Sequence, residues 1–216
     1  MPKFGTKLLI FFVFLALCGC SGAYYGAMEK IGVHKRDILV DRVSAARDSQ
    51  QQTKTQFSSA LEHFKSVINF QGGDLEENYL ELKKELARSE DQADEVRDRV
   101  AAVEDVADAL FAEWEQELDQ YSSASLRQAS ARQLKETQDH YFQLIGAMKK
   151  AEAKIDPVLD PLRDQVLFLK HNLNARAIAS LQGELSRIEG DVSRLIKDMD
   201  QAMQEADQFI LTLQAE

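Results

Sequence analysis

Leu17-Cys18-Gly19-Cys20 is the stretch of this chain whose residue types and spacing specify a covalent reaction. Lipid transfer to a cysteine thiol requires an aliphatic residue three positions earlier and a small residue immediately before. Cys20 meets both conditions, with Leu17 and Gly19. Cys18 does not, because Leu17 stands where the small residue is needed. The residues upstream fit the same chemistry. Lys3 and Lys7 supply a positive start, and Leu8 to Leu17 form an unbroken apolar run. That run is shorter than the roughly 20 residues a membrane-spanning helix needs, and it suits the apolar core of an export signal. The sequence therefore predicts a signal peptide over residues 1–19, cleavage between Gly19 and Cys20, and lipidation of Cys20. Two or three acyl chains, at about 0.8 kcal/mol per buried methylene, make a lasting membrane anchor. Ser21, not aspartate, follows the cysteine. In a Gram-negative cell this favours the outer membrane, with the body facing the periplasm. The alternatives are an uncleaved N-terminal helix, or an ordinary export signal with a coincidental cysteine. With Cys18 removed and Cys20 acylated, no disulfide is left to hold the fold.

The other reactive residue types do not assemble into motifs. His34, His63, His140 and His171 have no histidine or cysteine three or four positions away, so no helical metal pair and no HExxH arises. Di-iron bundles need Glu-x-x-His, and Glu62-His63 and Asp139-His140 have the wrong spacing. Glu189-Gly190-Asp191 lacks the alternating acids of a calcium loop, since Leu185 and Arg187 stand where acids are required. Glu113, Glu115 and Glu117 alternate along a helix and so point in different directions, as on a solvated surface. Neither a GxSxG elbow nor a glycine-rich phosphate loop is present. The reading is a non-enzyme, with no catalytic residue, no cofactor and no metal. Net charge is −10, and the only charges in the first 19 residues are two lysines, so the body is more acidic still. An acidic body has no clustered Lys and Arg for phosphate contacts, which argues against nucleic acid.

What must carry the anchored segment is helical. The three prolines stand at positions 2, 157 and 161, and no glycine occurs between Gly73 and Gly146. Strand-built chains need turn residues far more often. Apolar residues recur at alternating steps of three and four, the seam of coiled-coil-like helices. One seam runs Leu39, Val43, Ala46, Gln50, Thr53, Phe57, Ala60, Phe64, Val67. A second runs from Leu75 through Leu82, Val96 and Val103 to Trp114. A third runs Tyr141, Ile145, Met148, Glu152, Ile155, Leu159, Leu162, Val166, Leu169, Leu173, with Leu126 and Leu134 looser upstream. A fourth runs from Ile178 through Leu195 to Leu213. Turn chemistry separates them: Gly72-Gly73 with Asp74 and Glu77 as a capping box, Ser122 to Ser125, and Asn172 to Asn174. The predicted fold is all-α, an elongated antiparallel bundle of four helices over 37–69, 74–121, 123–172 and 174–213, with a three-helix bundle as runner-up. Pro157 and Pro161 lie off the third seam and read as a kink in a continuing helix. The alternative ends one helix at Ile155 and begins another near Pro157. The domain reading is 1–19 signal, 20–36 juxtamembrane segment, 37–213 helical bundle.

Two local expectations follow from the turns. Gln50 and Thr53 fall level with Ser89, Glu90 and Ala93, and these with Ala151 and Glu152. Three seams then become small or polar together, either to pin the register or to leave a hydrated gap. The second and third helices also outrun the first, leaving a tip over residues 108–137 with Phe111, Trp114 and Tyr121, and Tyr141 just beyond. Segment 21–36 is expected to fold back and cover these aromatics, with a membrane-touching tip as the alternative. Lys30, Lys35, Arg36, Arg42 and Arg47 lie near the anchor. They read as a solvated face among Asp37, Asp41 and Asp48, or else as contacts to anionic head groups.

Three segments, Lys35 to Val43 (KRDILVDRV), Asn69 to Tyr79 (NFQGGDLEENY) and Phe168 to Leu181 (FLKHNLNARAIASL), resemble those of an uncharacterised family of predicted envelope lipoproteins of Gram-negative bacteria. The resemblance spans nearly the whole mature chain and implies one domain over 21–213. It implies no activity, ligand or functional residue. The function expected is a structural or adaptor lipoprotein that meets protein partners, or copies of itself, through its helices. The alternative is a small-molecule or lipid carrier that uses the bundle interior.

Overall fold

The computed structural model describes residues 20–69, 75–172 and 174–215. The predicted signal peptide over 1–19, the Cys20 side chain, Leu173 and the expected Gly72-Gly73-Asp74 cap lie outside the described residues. Among the described residues six α-helices follow one another: α1 Cys20–Lys30, α2 Lys35–Ile68, α3 Leu75–Glu117, α4 Ala124–Glu152, α5 Ile155–His171 and α6 Ala175–Ala215. A 3-10 turn, Leu118–Gln120, extends α3. No strand occurs among the described residues.

The helices form a bundle of four columns: α2, α3, α4 with α5, and α6. Each column packs on its two neighbours, so the ring closes. Cross-column pairs set every direction. Arg47–Asp207, Lys54–Asp200 and Lys65–Glu189 run α2 against α6. Gln56–Glu85 and Thr53–Gln92 run α2 against α3. Numbers rise on one helix as they fall on the other, which is antiparallel packing and an up-down-up-down bundle. α3 holds 43 residues and is therefore about 65 Å long at 1.5 Å per residue.

The core is the seams. Every member of the first seam, from Leu39 to Val67, is buried, as are Val96, Val100 and Val103 on α3 and Leu195, Met199 and Ala202 on α6. Phe57, Phe64 and Phe209 are fully or almost fully enclosed. In water these stripes are the strongest reason for the helices to meet, at roughly 25 cal/mol per Å² of apolar surface removed.

The four-column layout agrees with the sequence, but the third column is jointed, not kinked. α4 stops at Glu152, Ala153 and Lys154 form a turn, and α5 starts at Ile155. The physical reason lies in the prolines. A restart at Ile155 places Pro157 in the first turn of α5, where a backbone N–H would have no intrahelical partner to lose. Only Pro161 then stands within the helix, and it is buried. The joint leaves the register intact. Lys149–Glu104 precedes it, and Arg97–Asp156 and Arg163–Glu90 follow at successive heptads on both columns. The Asn172 to Asn174 reversal is present. Asn172 Nδ2 donates to the Phe168 carbonyl at 2.9 Å, and the Asn174 carbonyl accepts from Ile178 N–H at 3.2 Å.

Candidate functional site

The chemistry-bearing groups that the fold brings together lie on the α2–α3 face. α2 carries an unusual polar stretch, Ser49, Gln50, Thr53 and Gln56, within its buried side, and α3 answers with Glu85 and Ser89. Thr53 Oγ1 donates to the Gln92 carbonyl at 3.4 Å. That pairing places the level where the first turn predicts it. The third column departs from the expectation: Glu90 meets Arg163, so Ala151 and Glu152 do not face Gln50. The polar level is therefore a property of two columns. It is closed: Gln50, Thr53 and Ser89 have no exposed surface.

Glu85 is the electrostatic centre of this face. It is 3% exposed, and its oxygens accept from Gln56 Nε2 at 2.7 Å, Arg88 Nη1 at 2.6 Å and Ser59 Oγ at 3.3 Å. Burial alone would raise its carboxyl. The Gln56 and Arg88 hydrogen bonds and the Arg88 charge outweigh burial and hold it below the usual carboxylate range. A carboxylate so stabilised is a weak base, and the site favours fixed hydrogen bonding over proton transfer. Outside it lies an open groove rimmed by Gln51, Gln52, Thr55, Asp91 and Gln92.

Because the folded carboxyl titrates below its ordinary value of 4.5, the stability it contributes is fully present above that pH. It is lost as pH falls through the lower, folded value. Glu85→Gln is therefore expected to be less stable than the parent near neutrality and to converge with it in acid. Urea unfolding from about pH 7 down to about pH 3 checks this, and a gap independent of pH would contradict it.

The second feature of this face is α1. Tyr25 is 4% exposed and donates its hydroxyl to Asp105 Oδ2 at 2.6 Å. Burial first, then the Asp105 bond and charge, push its phenol far above the ordinary range. Lys35 Nζ bonds Glu113 Oε1 at 3.0 Å and also Glu29. Burial would lower the Lys35 ammonium, but the two carboxylates outweigh it and raise it. Segment 21–36 thus folds back on the bundle. It meets α3 between Asp105 and Glu113, at the base of the tip, and leaves the far end uncovered, with Tyr121 43% exposed. Other tip aromatics are satisfied internally: Trp114 Nε1 donates to Ser130 Oγ at 2.8 Å, and Phe111 stacks edge-on with Tyr141. Within the basic set, Lys35 and Arg47 are engaged in ion pairs of the bundle.

Cys20, the predicted lipidation residue, is the first residue of α1. His34, His140 and His171 are exposed and His63 is half-buried. No group of three or more His, Cys, Asp or Glu residues that could hold a metal occurs among the described residues. No described helix is long and apolar enough to cross a membrane. Sequence reasoning missed Glu85 and Tyr25. A glutamate beside a seam reads as exposed, and only its spacing from Leu82 and Ser89 hints that it turns inward.

No curated protein and no solved structure matches the chain. The model of one family, described as a protein of unknown function (DUF2959), matches residues 24–213, from the middle of α1 almost to the end of α6. With that match covering nearly all of the bundle, the chain belongs to the DUF2959 family.

Proposed function

We propose that this is a lipid-anchored envelope protein whose helical bundle serves as a structural or adaptor module. The observation that carries the reading is the join between two parts of the chain. An acylation signal ends at Cys20, and the family domain starts at Tyr24 with almost no linker between them. Residues 1–19 act as the signal peptide, Cys20 bears the lipid, and the bundle stands in the periplasm at the outer membrane. The long charged flanks of the columns are the surfaces offered to protein partners or to further copies. The adaptor role is favoured over a carrier role because the seams are closed by Phe57, Phe64, Leu144, Met148 and Phe209. The carrier reading keeps one supporting feature, the polar groove above Glu85.

Cys20→Ala tests the anchor. The variant is expected to retain its uncleaved leader or leave the membrane fraction, with altered electrophoretic mobility and no incorporation of labelled fatty acid. Unchanged mobility and unchanged membrane association would remove the reading. Crosslinking in intact cells followed by mass spectrometry identifies the partners an adaptor must have, and recovery of a bound small molecule instead would favour the carrier.

A further inference from the structure

We infer that α1 is a detachable strap, docked on the α2–α3 face by Tyr25 and Glu29, whose release turns a flank attachment at Cys20 into a long tether. The functional meaning of the tether rests on the anchored reading above; the strap itself does not.

Direction comes first. Tyr25 meets Asp105 on α3, and Glu29, one turn later, shares the Lys35 ammonium with Glu113, about two turns further along α3, so α1 runs alongside α3 in the same sense. Its first residue, Cys20, therefore points back along the bundle and away from the tip. The chain reverses over Ile31 to His34. Gly32 adopts φ 86°, a left-handed conformation that costs an ordinary residue about 1 kcal/mol or more. The His34 N–H then donates to Asp37 Oδ2 at the start of α2.

The hold on α1 is light. No bundle helix packs backbone-close along it in the way the columns pack on one another. Tyr25 reaches down to Asp105, Met28 is partly buried against the core, and Glu29 is bound through Lys35. Tyr24 is 44% exposed, and a side chain added at Gly26 would meet nothing within 4 Å. The segment CSGAYYGAMEK is only 11 residues long and includes two glycines. A helix this short is marginal when isolated, and each interior glycine costs it about 1 kcal/mol relative to alanine. Undocking therefore melts α1. Residues 20 to 35, extended at about 3.3–3.6 Å each, span roughly 50 Å. Docked, residues 20 to 30 are helical instead and span only about 16 Å.

Amide hydrogen exchange on the mature acylated protein in phosphatidylethanolamine–phosphatidylglycerol vesicles tests this. Amides of residues 25–30 are expected to be protected, yet to exchange about 100-fold or more faster than those of 96–107 on α3, as independently opening segments do. Tyr25→Ala is expected to speed exchange in α1 by about tenfold or more and leave α2 to α6 unchanged, with Tyr25→Phe intermediate. Exchange in α1 as slow as in α3, spread of the Tyr25→Ala effect into α3, or absence of any protection in α1 would each overturn the strap. The same experiment on Cys20→Ser protein in solution separates the two readings. A strap that opens there while the parent proves unacylated would sink the anchor alone.

Discussion

Phe57→Ala is expected to lower the unfolding free energy by about 3–5 kcal/mol. Phe57 has no exposed surface and lies on the α2 seam, one heptad before Phe64. Truncation forfeits the transfer energy of the ring and leaves a cavity that columns fixed by their own packing do not collapse to fill. For a body of this size, each kcal/mol moves the midpoint by about 2–4 °C, so a fall of roughly 6–20 °C is anticipated by far-ultraviolet circular dichroism. Phe142→Ala is the control. Phe142 is 62% exposed, and its loss is expected to change stability by no more than about 0.5 kcal/mol. Equal losses at the two positions would mean that the seams do not hold the bundle together.

Gln50→Leu is expected to act in the opposite direction and raise stability by about 1–3 kcal/mol. Gln50 is fully buried, and neither its Nε2 nor its Oε1 has a hydrogen-bond partner among the described residues. Desolvating an amide without compensation is unfavourable, whereas leucine fills a similar volume at no such cost. Denaturant unfolding gives the sign directly. A loss of stability would mean that ordered water satisfies the amide in solution. A gain would make Gln50 a residue retained for something other than stability, and a polar seam residue that fixes register is the established precedent. Light scattering on the variant would then reveal whether alignment or association state relaxes when that constraint is removed.

Much of the fold is legible in the order of apolar residues. The α2 seam from Leu39 to Val67 is buried at every position, because a stripe with that spacing has one way to leave water. The level of Thr53 opposite Gln92 is also legible, since a short reversal constrains the alignment of two antiparallel helices. The third column is less so. Its level is reported by Arg163–Glu90, and the stretch from Leu118 to Ser123 carries no signal for it or for the 3-10 turn. The joint at Ala153–Lys154 was obscured because the apolar pattern runs through it without a skipped position. The α2–α3 face was least visible. The burial of Glu85 depends on Gln56, Ser59 and Arg88 arriving from two helices, and the seat of Tyr25 on Asp105 joins residues far apart in the chain. Neither has a local periodic signature.

The joint has a mechanical consequence. Considered as a beam, the molecule has three continuous struts, α2, α3 and α6, and one strut cut into pieces of 29 and 17 residues. A gap in a hydrogen-bonded ladder resists compression less than an intact helix does, so bending stiffness differs with direction. End-on load would make the rod bow in one plane, with the cut strut on its yielding edge.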